Sequence, residues 1–175
     1  MLYAKSTSTG TSSHGIVSAI IKTGLLAGTL DICCAMLQFY LKNGKNPIIV
    51  LKFVASAIFD KAAFAEGYYL AAMGLLFHYI IAFGWTILFF LIYHRMHLLA
   101  KNKIVVGLLY GIFVWLMMNL IVVPATNIQR APFKLVPSLT GALILVVAIG
   151  LPISIMANRY YSKRNIASQD ASLNA

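Results

Sequence analysis

The sequence predicts an all-α, polytopic membrane protein with four transmembrane helices plus one short amphipathic helix, interfacial or re-entrant. Hydrophobic residues make up 61% of the 175-residue chain. Charged residues make up only 10%, against about 25% in soluble domains. Four apolar stretches each reach the roughly 20 residues that a helix needs to cross the hydrocarbon core. A chain of this length has room for one helical bundle, placed at residues 16–159.

The net charge of +10 comes from 14 Lys and Arg against 4 Asp and Glu. Basic residues that flank apolar helices anchor them to anionic headgroups. The chain has no separate basic soluble module. We therefore expect membrane lipid as the partner of these charges, and no nucleic acid.

The first span is predicted at residues 16–41, after a disordered N-terminal tail at residues 1–15 that is rich in Ser, Thr and Gly. Asp31 lies near the middle of this span. A carboxylate there costs about 2.5–3.5 kcal/mol on insertion scales. Other helices must therefore give Asp31 a polar partner or keep it protonated.

One face of the first span is small and polar, because its residues recur at steps of four and three. The members of this face are Gly24, Gly28, Asp31, Ala35 and Gln38. Small residues four apart let a second helix approach closely, so this face is either a packing seam or the lining of a water-filled path.

An amphipathic helix is predicted at residues 47–65, after the turn KNGKNP. Its apolar run, residues 48–59, is too short to span and is interrupted by Lys52. Lys52, Ser56 and Asp60 fall four apart and form a polar stripe. This pattern favours a helix that lies in the interface or dips into the membrane and returns. The alternative is that residues 47–65 form a fifth full span, which would bury charged residues in lipid.

The second span is predicted at residues 67–97. One of its faces is again small and carries a single ionisable group, His78, at mid-depth. The members of this face are Gly67, Ala71, Gly74, His78, Ala82 and Trp85. Gly74 is the predicted packing residue of this helix.

The third span is predicted at residues 103–124, where Pro124 ends or kinks the helix. It carries the small residues Gly107 and Gly111, which we predict to pack against another helix, and the polar Asn119.

The fourth span is predicted at residues 135–157, with a kink at Pro152. Residues 160–175 form a basic and then polar C-terminal tail.

The distribution of Lys and Arg predicts that both termini are cytoplasmic. The side with the termini holds eight: Lys5, Lys22, Arg95, Lys101, Lys103, Arg159, Lys163 and Arg164. The opposite side holds six: Lys42, Lys45, Lys52, Lys61, Arg130 and Lys134.

A short motif recurs, GLLAG at residues 24–28 and GLLYG at residues 107–111. Each copy is followed by an apolar run, a polar turn and another apolar run. The recurrence indicates either two parallel hairpin repeats, as some transporters have, or chance in a chain rich in Leu and Gly.

The two GLLxG openings, the Pro-ended third span and the segment AEGYYLAAMGLLFHYIIAFGW together resemble the YagU-like family of bacterial inner-membrane proteins. The resemblance covers residues from about Gly24 to Arg159, and His78 is its one distinctive polar match. It implies a multi-span protein of the bacterial inner membrane, that is, the plasma membrane. The family is of unknown function, so the resemblance supplies no catalytic residues.

Four polar residues of the spans are predicted to form an intramembrane polar cluster: Asp31, His78, Asn119 and Gln38. In a structural or accessory bundle this buried cluster would lock the register of the helices. The alternative is a small proton-coupled transporter or channel in which Asp31 and His78 form a relay. Four spans leave little room for a substrate path unless the protein is a homo-oligomer.

Enzyme chemistry is not predicted, because the chain has no HExxH, GxSxG, CxxC or P-loop motif. His94 and His97 resemble a metal or heme pair, but on a basic helix end they are better explained as interfacial anchors. Cys33 and Cys34 are adjacent and are interpreted as small apolar fillers. We therefore expect no metal site and no cofactor.

Overall fold

The computed structural model describes residues 11–64, 67–93, 102–126 and 135–173, and these residues are helical apart from short turns. The predicted all-α fold is confirmed, since the described ranges contain no strand. The α-helices are α1 (Thr11–Asn43), α2 (Ile48–Phe59), α3 (Tyr69–Tyr93), α4 (Lys103–Met117), α5 (Leu135–Leu145) and α6 (Leu151–Leu173).

Two of the spans contain a π-helical segment. After α4 the chain continues through a π-turn at Met118–Val122 and a 3-10 turn at Val123–Ala125. Between α5 and α6 a π-turn at Val146–Gly150 keeps the helix continuous. Each π-turn lies one or two residues before a proline, Pro124 or Pro152. Proline has no N–H to donate to the carbonyl four residues earlier, so the helix widens there.

Four helices of the described ranges are long and apolar enough to cross a membrane: Gly15–Asn43, Tyr69–Tyr93, Lys103–Ala125 and Leu135–Ile166. The protein is therefore a multi-pass membrane protein, as the sequence predicts.

The helices α1 and α6 are longer than the spans expected from sequence. α1 begins at Thr11, inside the predicted tail, and α6 continues to Leu173, through most of the predicted C-terminal tail. The C-terminal part of α6 contains Ala, Arg and Gln, which have high helix propensity, so the helix continues past the apolar run. The rest of the N-terminal tail (residues 1–10), the end of the second span (94–97) and the loop at 127–134 lie outside the described residues.

The short helix α2 has 12 residues, about 18 Å at the usual helical rise, and cannot cross a core of about 30 Å. It packs alongside α3. A Cβ at Gly74 would clash with the backbone carbonyl of Leu51. The rings of Phe59 and Phe77 are stacked with their centroids 6.1 Å apart.

The start of α1 and the end of α3 both lie against the same stretch of α6, at one end of the bundle. A Cβ at Gly15, near the start of α1, would be 3.7 Å from the ring of Tyr160 in α6. Asn158 of α6 donates a hydrogen bond to the hydroxyl of Tyr93 at the end of α3, at 2.9 Å. The α1 and α3 helices are antiparallel, and so are α4 and α6.

The hydrophobic core lies between α3, α4 and α6. Its fully buried members include Phe90, Val114 and Ile153. Phe89 and Tyr110 pack edge to face there, with ring centroids 4.6 Å apart. The core is nearer to the end of the bundle that holds the start of α1 and the end of α3.

The first GLLxG motif lies against α3. A Cβ at Gly24 would be 2.5 Å from the ring of Phe83, and one at Gly28 would be 3.0 Å from the ring of Tyr79. Only glycine lets α1 and α3 come this close without moving these rings.

The second GLLxG motif lies against the helix formed by α5 and α6. A Cβ at Gly107 would be 3.0 Å from the carbonyl oxygen of Gly150, and one at Gly111 would be 2.5 Å from Cα of Val146. Both copies of the motif therefore face the next spanning helix in the chain, so they occupy equivalent positions in the fold.

Candidate functional site

A cavity of about 80 Å³ lies where five helical elements meet in the middle of the bundle. Its walls are mostly apolar and carry two ionisable side chains. The lining residues are Asp31, Val54, His78, Ile81, Ala82, Trp85, Val114, Met118, Leu145 and Ile149. The cavity has room for a few water molecules, each of which needs at least about 10–15 Å³ measured in this way.

Asp31 and His78 line the same cavity, but the predicted buried Asp/His cluster is wrong. Both side chains are only half-buried. No hydrogen bond or ion pair joins them in the part of the chain that the structure describes. The two groups are close enough for their charges to interact.

The imidazole of His78 forms a hydrogen bond with the backbone of α1. Its Nε2 lies 2.8 Å from the carbonyl oxygen of Gly28, and since a carbonyl can only accept, Nε2 donates. This contact exists because Gly28 has no side chain, so α3 can approach the backbone of α1. The sequence places both residues on small helix faces, but it does not show that the imidazole would bind a carbonyl rather than the carboxylate.

The other two members of the predicted cluster lie apart from the cavity. Asn119 is exposed, and its Nδ2 donates to the carbonyl of Trp115 in its own helix at 2.8 Å. It lies in the π-turn, where the spacing of four residues no longer keeps side chains on one face. Gln38 is half-buried, and its amide nitrogen has no hydrogen-bond partner among the residues described.

Two hydroxyl groups that the sequence analysis missed bind backbone carbonyls of neighbouring spans. The hydroxyl of Tyr110 in α4 donates to the carbonyl of Trp85 in α3 at 2.6 Å. The hydroxyl of Ser154 in α6 donates to the carbonyl of Lys103 in α4 at 2.7 Å. Ser154 is fully buried. The signal in the sequence was a hydroxyl residue in an apolar span, with Tyr110 inside a GLLxG motif.

Two more hydrogen bonds of hydroxyl groups connect α3 to its neighbours. The hydroxyls of Thr29 in α1 and Tyr79 in α3 are 2.8 Å apart. Tyr161 of α6 donates to the carbonyl of Phe90 at 3.0 Å. The spans are thus joined in pairs by one or two hydrogen bonds each, most of them from a side chain to a backbone oxygen.

Within the described residues there is no candidate metal site, since no three His, Cys, Asp or Glu side chains come together there. Cys33 and Cys34 are both free thiols. The pair His94 and His97 lies outside the described residues.

The chain matches no family model, no curated protein and no solved structure. The resemblance to the YagU-like family stays a prediction.

Proposed function

We propose that the protein is a structural or accessory helical bundle of the plasma membrane and carries out no enzymatic reaction. In this role it presents a rigid four-span body to lipid and to other membrane proteins. The polar groups of its spans serve to fix the positions of the helices rather than to process a substrate.

The observation that supports this proposal is the set of hydrogen bonds between spans. His78, Tyr110 and Ser154 each bind a backbone carbonyl of a neighbouring helix at 2.6–2.8 Å. Each such bond fixes one pair of helices at a single register, and such contacts average about 0.6 kcal/mol in membrane proteins. Glycine contacts at both GLLxG motifs restrict two of these pairs by shape, α1 with α3 and α4 with α6.

The bacterial inner membrane is the proposed location, with both termini in the cytoplasm. The resemblance to the YagU-like family supports the membrane, and the excess of Lys and Arg on the side of the termini supports the orientation. The described part of that side includes Lys103, Arg159, Lys163 and Arg164.

A reconstitution experiment tests the structural role. Purified protein is placed in liposomes that contain a pH-sensitive dye, and a pH gradient is applied. We expect the same rate of proton entry as in liposomes without protein. His78→Gln should lower the midpoint of thermal unfolding in detergent, because the hydrogen bond to the carbonyl of Gly28 is weakened. Proton flux above the background would contradict the proposal.

A second candidate function is a proton relay, favoured by one observation. Asp31 and His78 face one cavity large enough for water, in the middle of the spans. Intramembrane ionisable residues of this kind mark proton paths in many transporters. The same liposomes decide between the two roles: flux in the wild type that Asp31→Asn abolishes, with an unchanged unfolding midpoint, would establish the relay.

A further inference from the structure

Charged residues and a proline that bracket the apolar runs of the helices indicate how deep each residue lies in the membrane. Lys22 and Lys42 bracket about 20 residues of α1, and Lys103 and Pro124 bracket a similar length of the third span. Both lengths correspond to about 30 Å, the thickness of the hydrocarbon core. Because α1 and α3 are antiparallel and Gly28 lies against Tyr79, Tyr68 lies at the level of Phe39, within one helical turn of Lys42.

The helix α2 begins at this boundary and descends into the membrane. Ile48 and Ile49 line one surface pocket together with Gly67 and Tyr68, so its first turn is near the boundary. Its last residue, Phe59, stacks on Phe77. Phe77 is nine residues along α3 from Tyr68, about 13 Å deeper.

The chain then returns to the side from which α2 came. Asp60 has φ of +48°, a left-handed conformation that reverses the backbone after α2. The 3-10 helix Asp60–Phe64 follows, and Phe64 lines the same pocket as Ile48 and Tyr68. The segment from α2 to Phe64 is therefore a re-entrant hairpin, and we call Asp60 and Lys61 its tip.

The tip carries two opposite charges close to the middle of the membrane. Both side chains are exposed, and neither has a hydrogen bond or ion-pair partner among the residues that the structure describes. Non-helical backbone and charged groups at this depth are tolerated only where protein or water covers them. Large apolar side chains of the same hairpin are exposed as well, with Ile58 and Phe59 next to the tip: Phe53, Ile58, Phe59 and Phe64.

We propose that a second copy of this chain covers the tip, with Asp60 of each copy paired with Lys61 of the other. An interface between two copies related by a twofold axis brings the same patch of both together. The tip is self-complementary under this symmetry, because its two charges are adjacent and opposite. The exposed apolar residues around it form the rim of the interface and exclude lipid from the ion pairs.

Cross-linking in native membranes tests the proposal. Ala62→Cys is introduced next to the tip in a chain that also carries Cys33→Ala and Cys34→Ala, and an oxidant is added. We expect a disulfide-linked dimer on a denaturing gel. The control is Ile80→Cys, which is exposed at a similar depth on α3 and should cross-link at least tenfold less.

Charge reversal then shows whether the ion pairs hold the two copies together. Asp60→Lys should reduce the cross-link at least tenfold, and adding Lys61→Asp in the same chain should restore it. Two differently tagged chains, one with Asp60→Lys and one with Lys61→Asp, should form mixed dimers in preference to dimers of either chain alone.

Cross-linking that is equal in all charge variants would overturn the proposal, and so would no cross-link at Ala62→Cys above the Ile80→Cys control. If the chain with Asp60→Lys alone does not accumulate, the doubly reversed chain decides, since it keeps both charges and must still cross-link.

Discussion

Replacing Gly74 with alanine tests how closely α2 packs on α3. The added methyl group would meet the carbonyl of Leu51, with the carbonyl carbon at 2.7 Å and the amide nitrogen of Ala55 at 3.2 Å. These are backbone atoms, so no side chain can rotate away, and α2 must shift as a whole. Overpacking of this kind costs about 1–3 kcal/mol, and the backbone contact places Gly74→Ala at the upper end.

The gain in helix propensity from glycine to alanine offsets about 1 kcal/mol, which leaves a net loss of about 2 kcal/mol. That loss lowers the unfolding midpoint by about 4–8 °C for a chain of this size. The assay is thermal unfolding in detergent, followed by the fluorescence of Trp85 and Trp115. Gly84→Ala is the matched control in the same helix, because nothing lies within 4 Å of its added Cβ. Its midpoint should stay equal to that of the wild type or rise, and equal midpoints for Gly74→Ala and Gly84→Ala would show that α2 does not pack this closely on α3.

Two further substitutions probe the contacts between spans. Gly24→Ala should lower the unfolding midpoint less than Gly74→Ala in the same assay, because the atoms nearest to its methyl group all belong to the ring of Phe83, which can turn. A larger drop in the midpoint than that of Gly74→Ala would show that this ring is fixed. Tyr110→Phe removes the hydrogen bond to the carbonyl of Trp85 and should cost about 0.6–1.5 kcal/mol, whereas a midpoint equal to that of the wild type would mean that this bond contributes nothing to stability.

The fold could be predicted from the sequence because a segment must meet only a few physical requirements to cross the lipid bilayer. A span must be long, apolar and helical, and these properties are local. The boundaries were less predictable. The helices α1 and α6 extend past the apolar runs, into polar residues that can form helix in water as well.

The candidate site was less predictable, because it depends on rotations of helices that periodicity alone does not fix. Asp31 and His78 do reach one cavity, as expected for residues on small faces. The bond from His78 to Gly28 needed the close approach of two particular helices, and the π-turn turned Asn119 away from the predicted cluster. The hydroxyl of Ser154 binds a backbone carbonyl of another helix. Every residue has a backbone carbonyl, so no sequence pattern shows which residue accepts this hydrogen bond.

Labelling of single cysteines in intact and in opened cells tests most directly whether four helices span the membrane while α2 enters and returns. Lys45→Cys, Tyr68→Cys and Ser172→Cys are each placed in a chain with Cys33→Ala and Cys34→Ala and treated with a membrane-impermeant maleimide. Because α2 returns to the side from which it entered, Lys45→Cys and Tyr68→Cys should both react in intact cells, and Ser172→Cys should react only after the cells are opened. Labelling of only one of Lys45→Cys and Tyr68→Cys in intact cells would show that α2 crosses the membrane and is not re-entrant.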